Sequence, residues 1–512
     1  MISVILYGRN DSHGYNLHKR AAISLNCIAE MLDAPNDEIL FVDYNTPDDF
    51  ISFPEAIADT LTERCKKMLR IFRVRPSHHA RFRAETDLVA LEPVSRNVAI
   101  RRSNPANRWL LCTNTDMIFA PKPPFKSLSG LVANLEDGFY ELPRFDLPDL
   151  LWEGLNRMTP LENIATVEKW GLGYHINEII CRPKEILFDA PGDFQLFPRA
   201  AGFELQGFDE RYNLGWHMDS NLGKRFYIHY GIVRSLDERV SGWHCNHTRT
   251  QSIAHRSGRR TNDMDEVFTQ VVRADLPHQK DSWGLVNEEI EEIRLDIDRG
   301  QSLLRALDKV SGAPAKEPYL APEKSSELLA CPPAHLKPYI ADILYSFHRK
   351  TVVGYCGYDP EMFAAFHEVW QALGFTGPIH LIGRKEDREF STGQPCLSVE
   401  EADRRCEMFI GDYGVLKLEM DEKRVECLHN NRCMLAVLEQ LMILERAQLK
   451  DPSHTPRKFM VLNGAQPFVC AVMQHYTNMQ ENPFGTRIRH GYVVPPKKME
   501  TRPQAPEKKT GT

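Results

Sequence analysis

Hydrophobic and polar positions alternate in blocks along the first half of this chain. An apolar run at 3–7 is followed by a stretch in which Leu17, Ala21, Leu25, Ile28 and Leu32 recur at spacings of three and four, the pattern of a helix with one buried face. A second apolar run, ILFVD, occupies 39–43, and another lies in WLLCT at 109–113. Short apolar runs separated by amphipathic helices predict βαβ units and a parallel α/β sheet, whose ligand crevice lies beyond the carboxyl ends of the strands. Polar residues fall at those ends. Arg9, Asn10 and Asp11 follow the first run, Asp43 closes the second, and Asn114 to Asp116 follow the third. The layout is that of a mononucleotide-binding domain.

The second half carries a different pattern. The charged stretch VNEEIEEIRLDIDRGQSLLRAL at 286–307 predicts one helix packed along one face. A segment at 311–336 rich in Pro, Ala and Ser reads as a linker. A new α/β pattern starts at TVVGYCG (351–357). It continues through a helix bearing Phe363, Phe366, Trp370 and Leu373, and adds strands near 378–383, 408–412 and 459–464. The expected division is a first α/β domain over 1–265, a helical segment and linker over 266–335, a smaller α/β domain over 336–494, and a disordered tail over 495–512. The smaller domain has no glycine-rich phosphate loop and no cysteine–histidine cluster at zinc spacing, so its role is not legible. Gly354 and Gly357 read as parts of a structural turn after a strand.

Composition narrows the classes. A chain of 512 residues exceeds the usual size of one core and fits two or three domains. With 42% hydrophobic and 26% charged residues and a net charge of −7, it has no excess of basic residues for a polyanion, which argues against nucleic acid as a partner. No apolar run reaches the roughly 18 residues of a membrane span, and the chain enters a strand pattern without a signal-peptide profile, so a cytoplasmic location is expected. The 12 cysteines are scattered singly with no CxxC pair, as reduced structural thiols would be. The basic run KKMLRIFRVR (66–75) suits either peripheral contact with an anionic, lipid-linked acceptor or a solvated helix leading into an interior strand.

Seven short segments occur in a fixed order: SVILYGRND (3–11), ILFVDYNT (39–46), SRNVAIRR (95–102), LLCTNTDMIF (110–119), GDFQLFPR (192–199), GFDERYNLGWHMDSNLGKR (207–225) and GWHCNHTR (242–249). As a series they resemble the GT-A glycosyltransferases, in particular the large inverting family 2, over about half of the chain. The resemblance implies a Rossmann-like nucleotide-diphospho-sugar transferase fold and a metal-dependent transferase. Asn-Thr-Asp at 114–116 lies where that family has its DxD motif, with Asn114 departing from the strict pattern. Asp116 is then a ligand of Mn²⁺ or Mg²⁺, hard cations that share oxygen ligands with phosphates. His244 and His247 match a position where the family often completes the metal shell. Asp219 matches the catalytic base, with Met218 and Asn221 replacing the acidic residues around it. Arg9, Asp43, Arg96, Asn97 and Asn114 fall at donor-binding positions, and Asp193, Gln195 and Trp216 on the acceptor side.

Such an enzyme needs a base for the acceptor hydroxyl and positive charge for the departing diphosphate. The expected donor is a nucleotide-diphosphate sugar, with a UDP-sugar favoured, and the acceptor a glycan or lipid-linked hydroxyl. A bacterial surface-polysaccharide pathway is the natural setting by analogy. Two other readings stand beside it: a non-catalytic nucleotide- or glycan-binding module, and a sugar nucleotidyltransferase.

Overall fold

The computed structural model describes residues 1–11, 16–86, 88–173, 192–213, 217–247, 276–279, 281–295, 333–345, 347–383, 390–413, 422–449, 451, 454–462, 475–476 and 488–493. It is an α/β protein with three sheets among the described residues. In the first half the strands are β1 (Ile2–Gly8), β2 (Glu38–Tyr44), β3 (Leu69–Val74), β4 (Trp109–Cys112), β5 (Met117–Pro121), β6 (Phe139–Glu141), β7 (Arg144–Leu147), β8 (Gln195–Pro198), β9 (Val233–Ser235) and β10 (Val240–Cys245). The edge strand β11 (Glu291–Ile293) follows. They form an eight-stranded sheet in the order β11-β3-β2-β1-β4-β8-β6-β9 and a three-stranded sheet β5-β10-β7.

β3, β2, β1 and β4 run parallel, and β1 is buried from Ile2 to Leu6. A strand covered on both faces must be apolar nearly throughout, which is why ISVIL and EILFV read as runs rather than alternations. Helix α1 (Leu17–Glu30) covers one face and α2 (Glu92–Arg102) the other. The reversal of direction between β4 and β8 is antiparallel, with Cys112 opposite Gln195. That register brings the loops 113–116 and 192–194 together at one end of the sheet.

The segment 286–295 departs from expectation. It forms turns and then β11, antiparallel to β3, instead of the first turns of a helix. Its acidic residues meet the basic run of β3: Glu292 takes Arg70 at 2.8 Å and Glu291 takes Arg75 at 2.7 Å. Arg70 also pairs with Glu38 at 2.8 Å. The basic run at 66–75 is therefore answered by carboxylates of its own chain. Residues 296–332 and the tail from 494 lie outside the described residues.

The second half forms a five-stranded sheet from β12 (Val353–Tyr355), β13 (Ile379–Leu381), β14 (Met408–Asp412), β15 (Lys458–Leu462) and β16 (Ile488–Tyr492), ordered β13-β12-β14-β15-β16 with only β16 antiparallel. Helices α3 (Pro160–Gly173) and α4 (Met218–Tyr230) belong to the first half, and α5 (Pro333–Leu344) and α6 (Pro360–Ala372) to the second. α5 packs against α1, burying Leu336 and Ile340 in one core with Ala21 and Leu25. Among the described residues no helix is long and apolar enough to cross a membrane.

Candidate functional site

The three-stranded sheet assembles a cluster at the carboxyl edge of the larger one. On β10, His244 stands opposite Met117 of β5 and Asp146 of β7, and the N–H of Cys245 donates to the carbonyl of Asp116 at 2.9 Å. A slip of one residue in β10 would turn His244 to the other face, so the register itself fixes the site. The chain then carries His247 back over Asp116, its turn held by the N–H of Asn246 on the Leu147 carbonyl (2.9 Å) and by Trp152 Nε1 on the Asn246 carbonyl (2.8 Å).

The Nε2 atoms of His244 and His247 each lie 3.5 Å from Asp116 Oδ2, and one ligand atom from each of the three residues falls within 4.8 Å of the others. Asp116 is buried, and its Oδ1 has no hydrogen-bond partner. His244 Nδ1 meets Asp146 Oδ1 at 2.7 Å, a carboxylate–histidine pair that leaves Nε2 facing Asp116. Burial would raise the Asp116 carboxyl, but His244, His247 and Arg20 hold it well below the usual range. Burial would lower His244, yet Asp116 and Asp146 lift it to about 9. His247 is pushed down to about 4 by burial and by Arg20.

Two imidazoles and a carboxylate with a spare buried oxygen form a donor set that fits a borderline or hard divalent cation. Arg20, buried on α1, also contacts Asp116 Oδ2. Sequence reasoning missed Arg20, Asp146 and Arg144. Arg20 stands in the middle of a helix whose buried polar residues look like an ordinary amphipathic face, whereas Asp146 is betrayed only by its register opposite His244.

A second group lies on the other side of Asn114. Arg96, fully buried, donates through Nη2 to Asn114 Oδ1 and to the Gly192 carbonyl, both at 3.0 Å, and pairs with Glu92 at 2.5 Å. Its Nε and Nη1 have no partner. Asp219 sits in the first turn of α4 behind His217, whose φ is +63°. Burial would lower the pKa of Arg96, but the charge of Glu92, and to a smaller degree that of Asp219, raises it. A Cβ on Gly192 would meet Asp219 Oδ2 at 2.8 Å, so the glycine lets the 192–193 turn approach that carboxylate. Gln195 Nε2 donates to the Asp219 carbonyl at 3.3 Å, while Gln195 Oε1 is buried without a partner.

The other expected residues are placed as follows. Asp193 accepts from Asn114 Nδ2 and Arg144 Nη1, both at 2.7 Å. Asp43 is buried at the end of β2 and accepts from the Thr46 hydroxyl at 2.7 Å and the Phe53 N–H at 2.9 Å, and burial raises it to about 6. Arg9 donates to the Asn45 carbonyl and to Asp11, both at 2.8 Å. The amide of Asn97 is engaged by the turn at 208–210, through the Phe208 N–H and carbonyl and Glu210. Trp216 lies outside the described residues. The structure thus joins Asp116, His244 and His247 in one cluster and Arg96, Asn114, Asp193, Gln195 and Asp219 in a neighbouring one. Arg9 and Asp43 border the β1–β2 end of the sheet, and Asn97 supports a turn.

No model of a known protein family matches the chain, and no curated protein matches it. Solved structures similar to it in shape include GalNAc-T7 with UDP, GalNAc and Mn²⁺, at 11% identity and a TM-score of 0.32, over 53% of this chain and 48% of that one. The galactosyltransferase LgtC in complex with donor and acceptor sugar analogs gives 10% identity and a TM-score of 0.25, over 46% of this chain and 72% of that one. Mouse xyloside xylosyltransferase 1 in its apo form gives 10% identity and a TM-score of 0.25, over 46% and 85%. The chain thus spans about half the length of the GalNAc-T7 structure.

Proposed function

We propose that the first α/β unit is a GT-A glycosyltransferase that moves a sugar from a nucleotide-diphosphate donor to a hydroxyl of a glycan or lipid-linked acceptor. The observation that carries this reading is the cluster of Asp116, His244 and His247 at the carboxyl edge of a parallel sheet, with one buried carboxylate oxygen left without a partner. Those three residues would hold Mn²⁺ or Mg²⁺, which supplies positive charge to the departing diphosphate. Arg20, on the same carboxylate, adds a fixed positive charge to that corner. Asp219 is the assigned base: it accepts the proton of the acceptor hydroxyl as that oxygen attacks the anomeric carbon opposite the leaving nucleotide, with inversion. Arg9 and Asp43, at the ends of the first two strands, are assigned to the nucleoside end of the donor, and a UDP-sugar is the first donor to test.

A non-catalytic nucleotide- or glycan-binding module is favoured by one observation, the Arg20 guanidinium that already neutralises Asp116. One screen separates the two. Nucleotide sugars are tested for binding and turnover, with and without Mn²⁺, on wild type, Asp116→Ala and Asp219→Ala. The transferase reading expects metal-dependent binding that is lost in Asp116→Ala, and binding kept but turnover lost in Asp219→Ala. Binding without turnover in wild type supports the module, and no binding of any nucleotide sugar removes the donor-site assignment.

A further inference from the structure

We propose that Asn114 is a positioning residue rather than a metal ligand, and that Asn114 and Asp193 act as one neutral–charged pair tying the Arg96 side of the site to the metal cluster. This rests on the reading of the site given above and specifies how its ligand set is completed.

The two side chains stand in the middle of a continuous row. Glu92 meets Arg96, Arg96 meets Asn114 Oδ1, Asn114 Nδ2 meets Asp193 Oδ1, and Asp193 Oδ2 meets Arg144 Nη1. Arg144 Nε lies 3.4 Å from Asp146 Oδ1, and Asp146 holds His244. Read as charges, the row is negative, positive, neutral, negative, positive, negative. All of its members except Glu92 and Asn114 are buried, so its charges lie largely out of water.

The central position needs a group that accepts from a guanidinium on one side and donates to a carboxylate on the other. An amide does both; an ionised carboxylate cannot donate. Aspartate at 114 would set two carboxylates against each other across the 2.7 Å contact now made by Asn114 Nδ2. Neither loop can retreat, because the Thr113 hydroxyl donates to the Asp193 carbonyl at 2.6 Å and Cys112 is registered opposite Gln195. The departure from a two-aspartate motif is therefore matched by Asp193. With Asn114 Oδ1 turned to Arg96 and Nδ2 to Asp193, the metal shell is assigned to Asp116 and the two histidines, the group whose ligand atoms lie within 4.8 Å of one another.

The row also predicts its own exchange. With aspartate at 114 and asparagine at 193, Arg96 keeps an acceptor, the amide at 193 donates to the carboxylate at 114, and its oxygen accepts from Arg144. Charge still alternates along the row, with the neutral member moved by one place.

The test is a double-mutant cycle on the full chain with Asn114→Asp, Asp193→Asn and both together, and Asn114→Ala as an uncharged control. Two readouts are taken: the thermal midpoint in EDTA, and Mn²⁺ affinity by titration calorimetry. Each single exchange is expected to lower the midpoint, Asn114→Asp more than Asn114→Ala. Each is also expected to weaken Mn²⁺ binding, by less than the roughly 10- to 100-fold that follows loss of a direct outer-shell partner, because Asp146 and neither Asn114 nor Asp193 meets His244. The double exchange recovers most of both losses. Additive losses in the double exchange would overturn the pairing. Mn²⁺ binding tighter in Asn114→Asp than in wild type, without recovery in the double, would show position 114 to be a ligand position. If wild type binds no Mn²⁺, the metal reading fails, while the midpoints in EDTA still decide the pair.

Discussion

Gly192 shows how one missing methyl group shapes the site. Its ideal Cβ would fall 2.8 Å from Asp219 Oδ2, so Gly192→Ala must push that carboxylate aside while leaving Asp116, His244 and His247 in place. Mn²⁺ affinity should stay at the wild-type value and nucleotide-sugar turnover should fall about 100-fold, as a misplacement of about 1 Å does for an oriented catalytic group. Equal loss of both would place Gly192 in the fold rather than in the site. Asp43 makes a prediction of a different kind. Its carboxyl is raised to about 6 from 3.8 by burial, so the folded protein binds this proton more tightly than the unfolded chain. The stability from that proton is complete below pH 4 and is lost as pH rises through 6. It amounts to about 3 kcal/mol by linkage. Asp43→Asn should remove the loss, so that urea unfolding at pH 4 and pH 7 gives the variant a smaller drop than wild type. An unchanged drop would show that Asp43 is not the group responsible. Asp43 and Asp116 were legible as polar residues ending apolar runs. Arg20 was not, because a buried arginine in a helix acquires meaning only from the carboxylate that the fold sets against it.

At the scale of elements, strand register carries most of the information that periodicity could not supply. The apolar runs that become β1, β2, β4, β12, β14 and β15 were readable, since parallel strands covered on both faces need continuous apolar sequence. The three-stranded sheet was not: β5, β7 and β10 are short, and nothing local tells Gly242-Trp243-His244 to lie beside Arg144-Phe145-Asp146. The acidic periodicity at 286–295 was misleading for a related reason. Its glutamates answer Arg70 on β3 and Arg75 just after it across the sheet edge, a long-range pairing that outweighs helix propensity. The β12–α6 turn shows the same dependence on a distant partner. Asp412, at the end of β14, accepts from the Tyr355 hydroxyl at 2.6 Å, the Tyr358 N–H at 3.0 Å and the Asp359 N–H at 3.3 Å. The backbone N–H groups of Tyr358 and Asp359, at the head of α6, are thus taken by a carboxylate of the chain itself. A Cβ on Gly357 would lie 2.0 Å from Asp412 Oδ2, so Gly357→Ala must break that network. We expect a loss of about 3 kcal/mol, in the range of a disrupted buried polar network. Chemical denaturation measures it, and a change below about 0.5 kcal/mol would contradict the account of this turn.

Across the whole molecule, the second unit is set against the first near the start of α1 and the loops that follow β1 and β2. Tyr345 lies edge-on to His18 with ring centroids 5.8 Å apart, His348 faces Phe50 at 5.9 Å, and the buried Lys458 at the start of β15 feels the charge of Asp11 in the loop after β1. Burial, and after it the charges of Arg157, Lys458 and Arg349, bring His18 down to about 3, so it stays neutral in its contact with Asn10 Oδ1 at 3.2 Å. The first unit's candidate site is likewise a property of the whole fold, because its ligand atoms come from residues 116, 244 and 247 and their support from residues 20 and 146. On the proposed reading this convergence is a cation site. Its most direct test is a Mn²⁺ titration of the full chain followed by electron paramagnetic resonance, on wild type, Asp116→Ala and His244→Ala. The account predicts one bound Mn²⁺ per wild-type chain and loss of that site in both variants, with their far-ultraviolet circular dichroism unchanged. Mn²⁺ binding of equal affinity in all three proteins, or none in the wild type, would contradict it.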